Sequence, residues 1–293
     1  MLKNLTAIIS LTIIVCALAY LFPRQTSFDA TQTAGPVLVE VEKIIEKEPP
    51  ALLAKSACVF DMSKNEFIFE LNNNVQRPLA SLTKLMTVLV AKENFPEGLL
   101  VEITKEAIEK EGDNGLIVGE KWKLADIIDI ILLSSSNDAA FALSCGFSET
   151  PEPNNTQFLK LMNNKAAALG MKQTYFFNAT GLDISDSAAG AYGSCEDTVK
   201  LMNYMLRNYA DVLEITTRAS LNLNDRVFEN TNKIINKFPL LLAGKTGFDD
   251  LAGGNLIIAV NKGLNRPIII AVLGSTFDGR FEDIEKLYDH FVK

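Results

Sequence analysis

LLLAGKTGFDDLAGGNLIIAVNKGLNRPIIIAVLG, residues 240–274, decides how this chain folds. It holds three apolar runs, Leu240 to Gly244, Asn255 to Val260 and Ile268 to Leu273, the last two joined by the turn-rich link NKGLNRP. Short continuous runs of this kind, bounded by Gly, Asn and Pro, read as strands. Working back along the chain, SACVFDMSKNEFIFELN at 56–72 reads as a hairpin, with strands at 57–61 and 66–71 around Ser63-Lys64-Asn65. Between these ends lie helical segments at 80–93, 124–133 and 156–169, and an amphipathic helix at 281–292 closes the chain. Strands from both chain ends therefore flank a helical middle. The expected class is α+β, an antiparallel sheet with helices packed on it.

Composition narrows the chemistry. The chain has 293 residues, a net charge of −8 and no basic block, which speaks against a nucleic-acid partner, since phosphate binding needs a basic face. There is one histidine, His290, near the C-terminus and expected on the surface of the last helix. A hydrolytic zinc site usually takes two or three His ligands, and a Ser-His-Asp triad needs one His inside the fold. Neither metal nor cofactor is expected, and any hydrolytic step must use another base. Of the four cysteines, at 16, 58, 145 and 195, the last three show no CxxC spacing and are odd in number, so they read as buried free thiols.

LTAIISLTIIVCALAYLF at 5–22 is an uncharged run of 18 residues between Lys3 and Arg24. It is long enough for a transmembrane helix and also fits a signal peptide, with Ala17-Leu18-Ala19 as a cleavage site. Its continuation through Leu21 and Phe22 favours a retained anchor, and either reading exports the rest of the chain. Residues 23–52, with EVEKIIEKEPP and few aromatics, read as a linker, and 53–293 as the compact domain.

Three short motifs carry candidate chemistry. Ser81-Leu82-Thr83-Lys84 follows Pro78 at the start of an apolar helix, so the hydroxyl and amine share one helix face. A Ser in a first helical turn has backbone N–H groups beside it that can hold an oxyanion. A Lys becomes a usable base when burial lowers its pKa. Such a Ser-x-x-Lys spacing arises about once by chance in a chain this long. Ser135-Ser136-Asn137 falls at a helix–loop–helix junction, and Ser63-Lys64-Asn65 and Ser220-Leu221-Asn222 share its spacing without that setting. Lys245-Thr246-Gly247 reads as the end of a strand, where Gly allows close approach of a ligand and Lys and Thr offer a cation and a hydroxyl to an anion. Each motif alone is also an ordinary cap or turn; their conjunction and order give them weight.

That order is the one found in penicillin-binding proteins and serine β-lactamases. Beyond it, RPLASLTKLMT, GLIVGEKWKLADIIDIILLSSSNDAAFAL, FFNATGLD and LAGKTGFDDLAGGNLIIAV resemble the low-molecular-mass D-alanyl-D-alanine carboxypeptidase family over roughly residues 55–292. The resemblance implies an antiparallel five-stranded sheet flanked by helices, a mostly helical subdomain, and a cleft between them. It implies Ser81 as nucleophile, Lys84 as its base and Ser135 as proton relay to the leaving amine. Asn137 would hold the substrate amide, Lys245 tune the cleft, and Thr246 bind the terminal carboxylate. Gly247 would give close approach, the N–H groups of Ser81 and Phe248 would form the oxyanion hole, and Arg280 would bind carboxylate. The implied partners are a peptidoglycan stem peptide ending in D-Ala-D-Ala, β-lactams as covalent inhibitors, and a membrane through the N-terminal segment.

The chain also departs from the family pattern. Phe248 is followed by Asp249 where many relatives carry Thr, and GLDISDSAAGAYGSCEDTVKL is longer than the common version. Many relatives carry a C-terminal β-rich domain and membrane helix; here the chain stops at Lys293, which leaves anchoring to the N-terminal segment. The same motifs fit an endopeptidase or transpeptidase on the same peptides. A β-lactamase needs a second base, and none of Glu149, Glu152, Glu196, Glu214 or Glu229 sits in a Glu-xx-Leu-Asn context. A penicillin-sensing module without turnover is the reading from a different class.

Overall fold

The computed structural model describes residues 48–112, 115–146 and 155–293. The expectations for residues 1–22 and for 23–47 of the linker lie outside these. Chain order runs through β1 (Ser56–Asp61), β2 (Glu66–Leu71), β3 (Arg77–Pro78), a 3₁₀ turn (Ala80–Leu82) and α1 (Thr83–Asn94). Then come β4 (Leu100–Glu102), α2 (Lys105–Ile108), β5 (Lys121–Lys123), α3 (Leu124–Leu133), α4 (Asn137–Cys145) and α5 (Thr156–Ala168). The chain continues with β6 (Tyr175–Phe176), β7 (Ala191–Gly193), α6 (Cys195–Asn208), α7 (Ala210–Leu213), β8 (Ser220–Leu223) and β9 (Arg226–Glu229). It ends with β10 (Leu241–Asp249), β11 (Gly253–Asn261), β12 (Pro267–Ser275) and α8 (Gly279–Phe291).

The main sheet has five antiparallel strands in the order β10-β11-β12-β1-β2, so both chain ends meet in it as the apolar runs implied. Successive side chains of a strand point to opposite faces. Val59, Ile258 and Ile270 pack with Phe281, Ile284 and Leu287 of α8. Cys58, Ile257, Ile269 and Ala271 face the other way, into a core shared with α1, α3 and α6. Cover on both faces is why these strands read as unbroken apolar runs. Asp283 of α8 is fully buried and accepts from Leu53 N, Ala54 N and Ser275 Oγ at 2.7–2.9 Å, which ties the start of the domain to its last helix.

One expectation needs correcting. Lys245-Thr246-Gly247 does not end a strand: β10 runs on to Asp249, in register with β11 from Ala243↔Ala259 to Asp249↔Gly253. Side-chain periodicity fades after Gly244, but ladder hydrogen bonds use only backbone groups, so the strand continues through a polar stretch. No helix among the described residues is long and apolar enough to cross a membrane.

Candidate active site

Three elements bring the motifs together. The 3₁₀ turn carrying Ser81 leads into α1, which carries Lys84; the α3–α4 junction carries Ser135 and Asn137; β10 carries Lys245 and Thr246. Asn255 of β11 fixes the first element to the sheet, since its buried Nδ2 donates to the carbonyls of Pro78 and Leu79, both at 3.0 Å. Gly247 faces the same turn. A Cβ there would lie 2.9 Å from Leu79 O and 3.2 Å from Ser81 N, so only glycine lets the strand close on the Ser81 backbone.

Backbone strain is concentrated here. Eight non-glycine residues among those described have positive φ, and six of them are Asn or Asp, which tolerate that region. The other two are Ala80 (φ 48°), next to Ser81, and Ser135 (φ 62°). Strained non-glycine residues tend to gather at functional sites, where the surrounding structure holds them in place. Ser136, one residue on, caps α4 by accepting from Ala139 N at 3.1 Å.

Lys84 is completely buried, and its Nζ lies 2.8 Å from Ser81 Oγ, 2.7 Å from Asn137 Oδ1 and 2.7 Å from the Thr180 carbonyl. Burial lowers its pKa to about 7, opposed by the charge of Asp249. At neutral pH a large share of this amine is therefore unprotonated and in contact with a hydroxyl. Lys245 is also buried; its Nζ donates to Ser135 Oγ at 2.7 Å and to Thr246 O at 3.0 Å. Burial first, then the cations Lys84 and Arg280, push its pKa well below the usual lysine range.

A cleft of about 320 Å³ opens beside these groups, lined by Ser81, Ser135, Thr246, Gly247, Phe248 and Arg280 together with Thr231, Lys233 and Phe277. Arg280 lies in the first turn of α8 and is 4% exposed. It donates to Gly247 O at 2.7 Å, and its Nε is buried without a partner. Its guanidinium lies over the rings of Phe277 and Phe281, at 4.6 and 4.8 Å from their centroids, and burial lowers its pKa to about 10. Phe248 and Phe277 meet edge to face at the exposed rim, 4.9 Å apart. The arrangement offers a hydroxyl with an adjacent amine, and across the cleft a hydroxyl and two cations suited to an anionic group.

All nine residues expected at the site are thus gathered in one place. Sequence reading missed Thr231, whose Oγ1 lies 2.6 Å from Thr246 Oγ1, and also Lys233 and Phe277. Nothing in the local sequence marks these three, because only the tertiary fold brings them to the cleft. The Thr180 carbonyl, which lies within FFNATGLD, also escapes a sequence reading, since it is a main-chain group. Asp249, noted as a departure, faces Asp183. Asp249 accepts a backbone N–H from Ala252 and Asp183 one from Leu251, while Asp249 Oδ2 and Asp183 Oδ1 are buried without a hydrogen-bond partner. Burial first, and then the Asp183 charge, raise the Asp249 pKa to about 6, against the Ala252 N–H bond, which lowers it. His290 lies far along α8, half-buried, its ring against Phe291.

A family model described as D-alanyl-D-alanine carboxypeptidase matches residues 43–276. The chain is 30% identical over 251 residues to the D-alanyl-D-alanine carboxypeptidase DacA of Escherichia coli (strain K12), covering 81% of this chain and 60% of that protein. It is 31% identical over 232 residues to a D-alanyl-D-alanine endopeptidase of Pseudomonas aeruginosa, covering 76% and 71%. Among solved structures, Penicillin-Binding Protein D2 from Listeria monocytogenes in its ampicillin-bound form superposes with a TM-score of 0.74 at 28% identity, over 84% of this chain and 100% of that one. The chain spans about three fifths of the length of the curated carboxypeptidases it matches.

Proposed function

The chain belongs to the D-alanyl-D-alanine carboxypeptidase family, and on that premise we propose that it removes the terminal D-Ala from peptidoglycan stem peptides through an acyl-enzyme on Ser81. The observation that carries this reading is the buried Lys84 amine, 2.8 Å from Ser81 Oγ. Neutral Lys84 takes the Ser81 proton as Oγ bonds to the carbonyl carbon of the penultimate D-Ala. The N–H groups of Ser81 and Phe248 hold the resulting oxyanion. The C–N bond then breaks, a proton reaches the leaving amine by way of Ser135, and D-Ala departs. Water attacks the remaining ester, releasing the shortened peptide and restoring Ser81. Asn137 holds the substrate amide, and Thr246, Lys245 and Arg280 bind the terminal carboxylate. β-Lactams acylate the same hydroxyl, because their strained amide imitates the D-Ala-D-Ala bond. The reaction takes place outside the cytoplasm, on a protein held or exported by its N-terminal segment.

Product analysis tests this directly. Incubation with a peptide ending in D-Ala-D-Ala should release free D-Ala. Cleavage of a cross-linked dimer with no release of D-Ala would instead move the assignment to the endopeptidase. No glutamate lines the cleft among the described residues; Glu149 and Glu152 lie outside them.

A further inference from the structure

The three partners of Lys84 Nζ are not equivalent. Asn137 Oδ1 and the Thr180 carbonyl can only accept a hydrogen bond, whereas the Ser81 hydroxyl can accept or donate. The Asn137 amide cannot turn round, since its Nδ2 donates to Glu111 O at 2.6 Å. An ammonium at this point gives one proton to each partner. A neutral amine has two N–H groups and one lone pair. The two obligate acceptors keep the two N–H groups, and the lone pair falls to the one partner able to donate, the Ser81 hydroxyl. The aim of the base is therefore set by two oxygens, one of them a main-chain carbonyl.

The turn that carries this carbonyl is gathered around the Asn178 side chain. Asn178 Oδ1 accepts from Thr180 N at 3.2 Å, Thr180 Oγ1 at 3.1 Å and Gly181 N at 2.7 Å, and its Nδ2 donates to Leu182 O at 2.8 Å. The space around the amide is kept clear, since a Cβ on Gly190 would lie 2.3 Å from Asn178 Nδ2. Gly181, at φ +85°, lies so close to the turn before Ser81 that a Cβ there would be 2.0 Å from Ala80 O. Thr87, about one turn of α1 on from Thr83 and three residues on from Lys84, donates to Ala179 O at 2.6 Å. Two successive carbonyls, of Ala179 and Thr180, are thus received by one face of α1.

We propose that Asn178 is a positioning residue for the base: by holding the turn at 178–182 it presents the Thr180 carbonyl to Lys84 and so directs the lone pair of the neutral amine at Ser81. This rests on the reading of Ser81 and Lys84 as nucleophile and base. The test follows acylation of the full chain by a fluorescent penicillin across pH, for wild type, Asn178→Ala and Asn178→Asp. Each rate is taken on the labelled fraction, so misfolded protein does not count. Asn178→Ala should lower the high-pH acylation rate about ten- to a hundredfold, the range a misplaced reacting group costs. Its acid limb should move to lower pH, because the ammonium form loses an acceptor. Asn178→Asp keeps the acceptor oxygen, so its high-pH rate should stay within about tenfold of wild type, and its limb should move to higher pH as a carboxylate comes near the ammonium. The proposal is overturned if Asn178→Ala loses only labelled fraction, with rate and midpoint unchanged. Should that variant not fold, an Asn178→Asp rate depressed more than a hundredfold at every pH overturns it equally. Labelling of Ser81→Ala at the wild-type rate would defeat the nucleophile reading itself, a failure distinct from that of Asn178.

Discussion

Lys245 and Ile257 stand opposite each other in the register of β10 and β11, and both are buried. Burying the Ile side chain contributes about 1.5–3 kcal/mol to folding. Burying a lysine opposes folding unless the amine is partnered or gives up its proton. The same contrast separates the sheet from the cleft beside it. Ile257, Ile258, Ile269 and Ile270 fill the sheet with fully buried apolar side chains. Lys84, Lys245 and Arg280 put three basic groups into a buried setting, and Ala80 and Ser135 add backbone strain. The sheet and its covering helices hold that unfavourable arrangement in place.

Substituting Lys84→Met tests the contrast most severely, with two readouts. Acylation should fall by about three powers of ten or more, because base and nucleophile act as a unit. Stability should change in the other sense. Between pH about 7 and 10.5 the unfolded chain holds a proton that folded Lys84 has released. Unfolding then takes up a proton, so this group makes stability climb with pH, by at most about 1.4 kcal/mol per unit. Below pH 7 its penalty is fully present. Lys84→Met should remove this part of the slope and raise stability most at neutral or acid pH, as urea unfolding across pH would show. A slope identical to wild type would mean that burial does not depress this lysine.

The next largest effect concerns the anion side of the cleft. Amidating the C-terminus of the substrate should remove charge-assisted bonds worth about 3–5 kcal/mol in all, or about two to four powers of ten in kcat/KM. Arg280→Ala should narrow that difference between acid and amide peptides. Equal rates on both peptides in the wild type would point to cross-link cutting.

Ile257→Ala probes the opposite half of the comparison. It should cost about 2–5 kcal/mol of stability, as large-to-small changes in a packed core do, while the folded fraction still acylates. Chemical denaturation together with labelling stoichiometry separates the two readouts. The smallest expected effect is that of His290→Ala, whose rate should remain within about twofold of wild type. A loss like that of the Lys84 variant would overturn the lysine base.

The two regions also differ in how far the sequence disclosed them. The strands at 255–260 and 268–273 could be read because burial on both faces leaves an unbroken apolar record. Helix 124–133 matches its apolar stretch residue for residue. The second half of β10 could not be read, because its pairing is made by backbone alone. In the cleft, Ser81, Lys84, Ser135, Asn137 and Lys245 stood out only as an ordered set of motifs. The left-handed conformation of Ala80 and Ser135 leaves no mark in residue type, and the Thr180 carbonyl has no side chain to advertise it. Thr231 and Phe277 are ordinary residues that the tertiary fold makes part of a site.

The most direct test of the central claim is to treat the full chain with a saturating β-lactam, measure the intact mass, and map the adduct by peptide sequencing. One drug should attach per chain, at Ser81, and Ser81→Ala should carry none. An adduct at another residue, or none at saturation, would contradict the account.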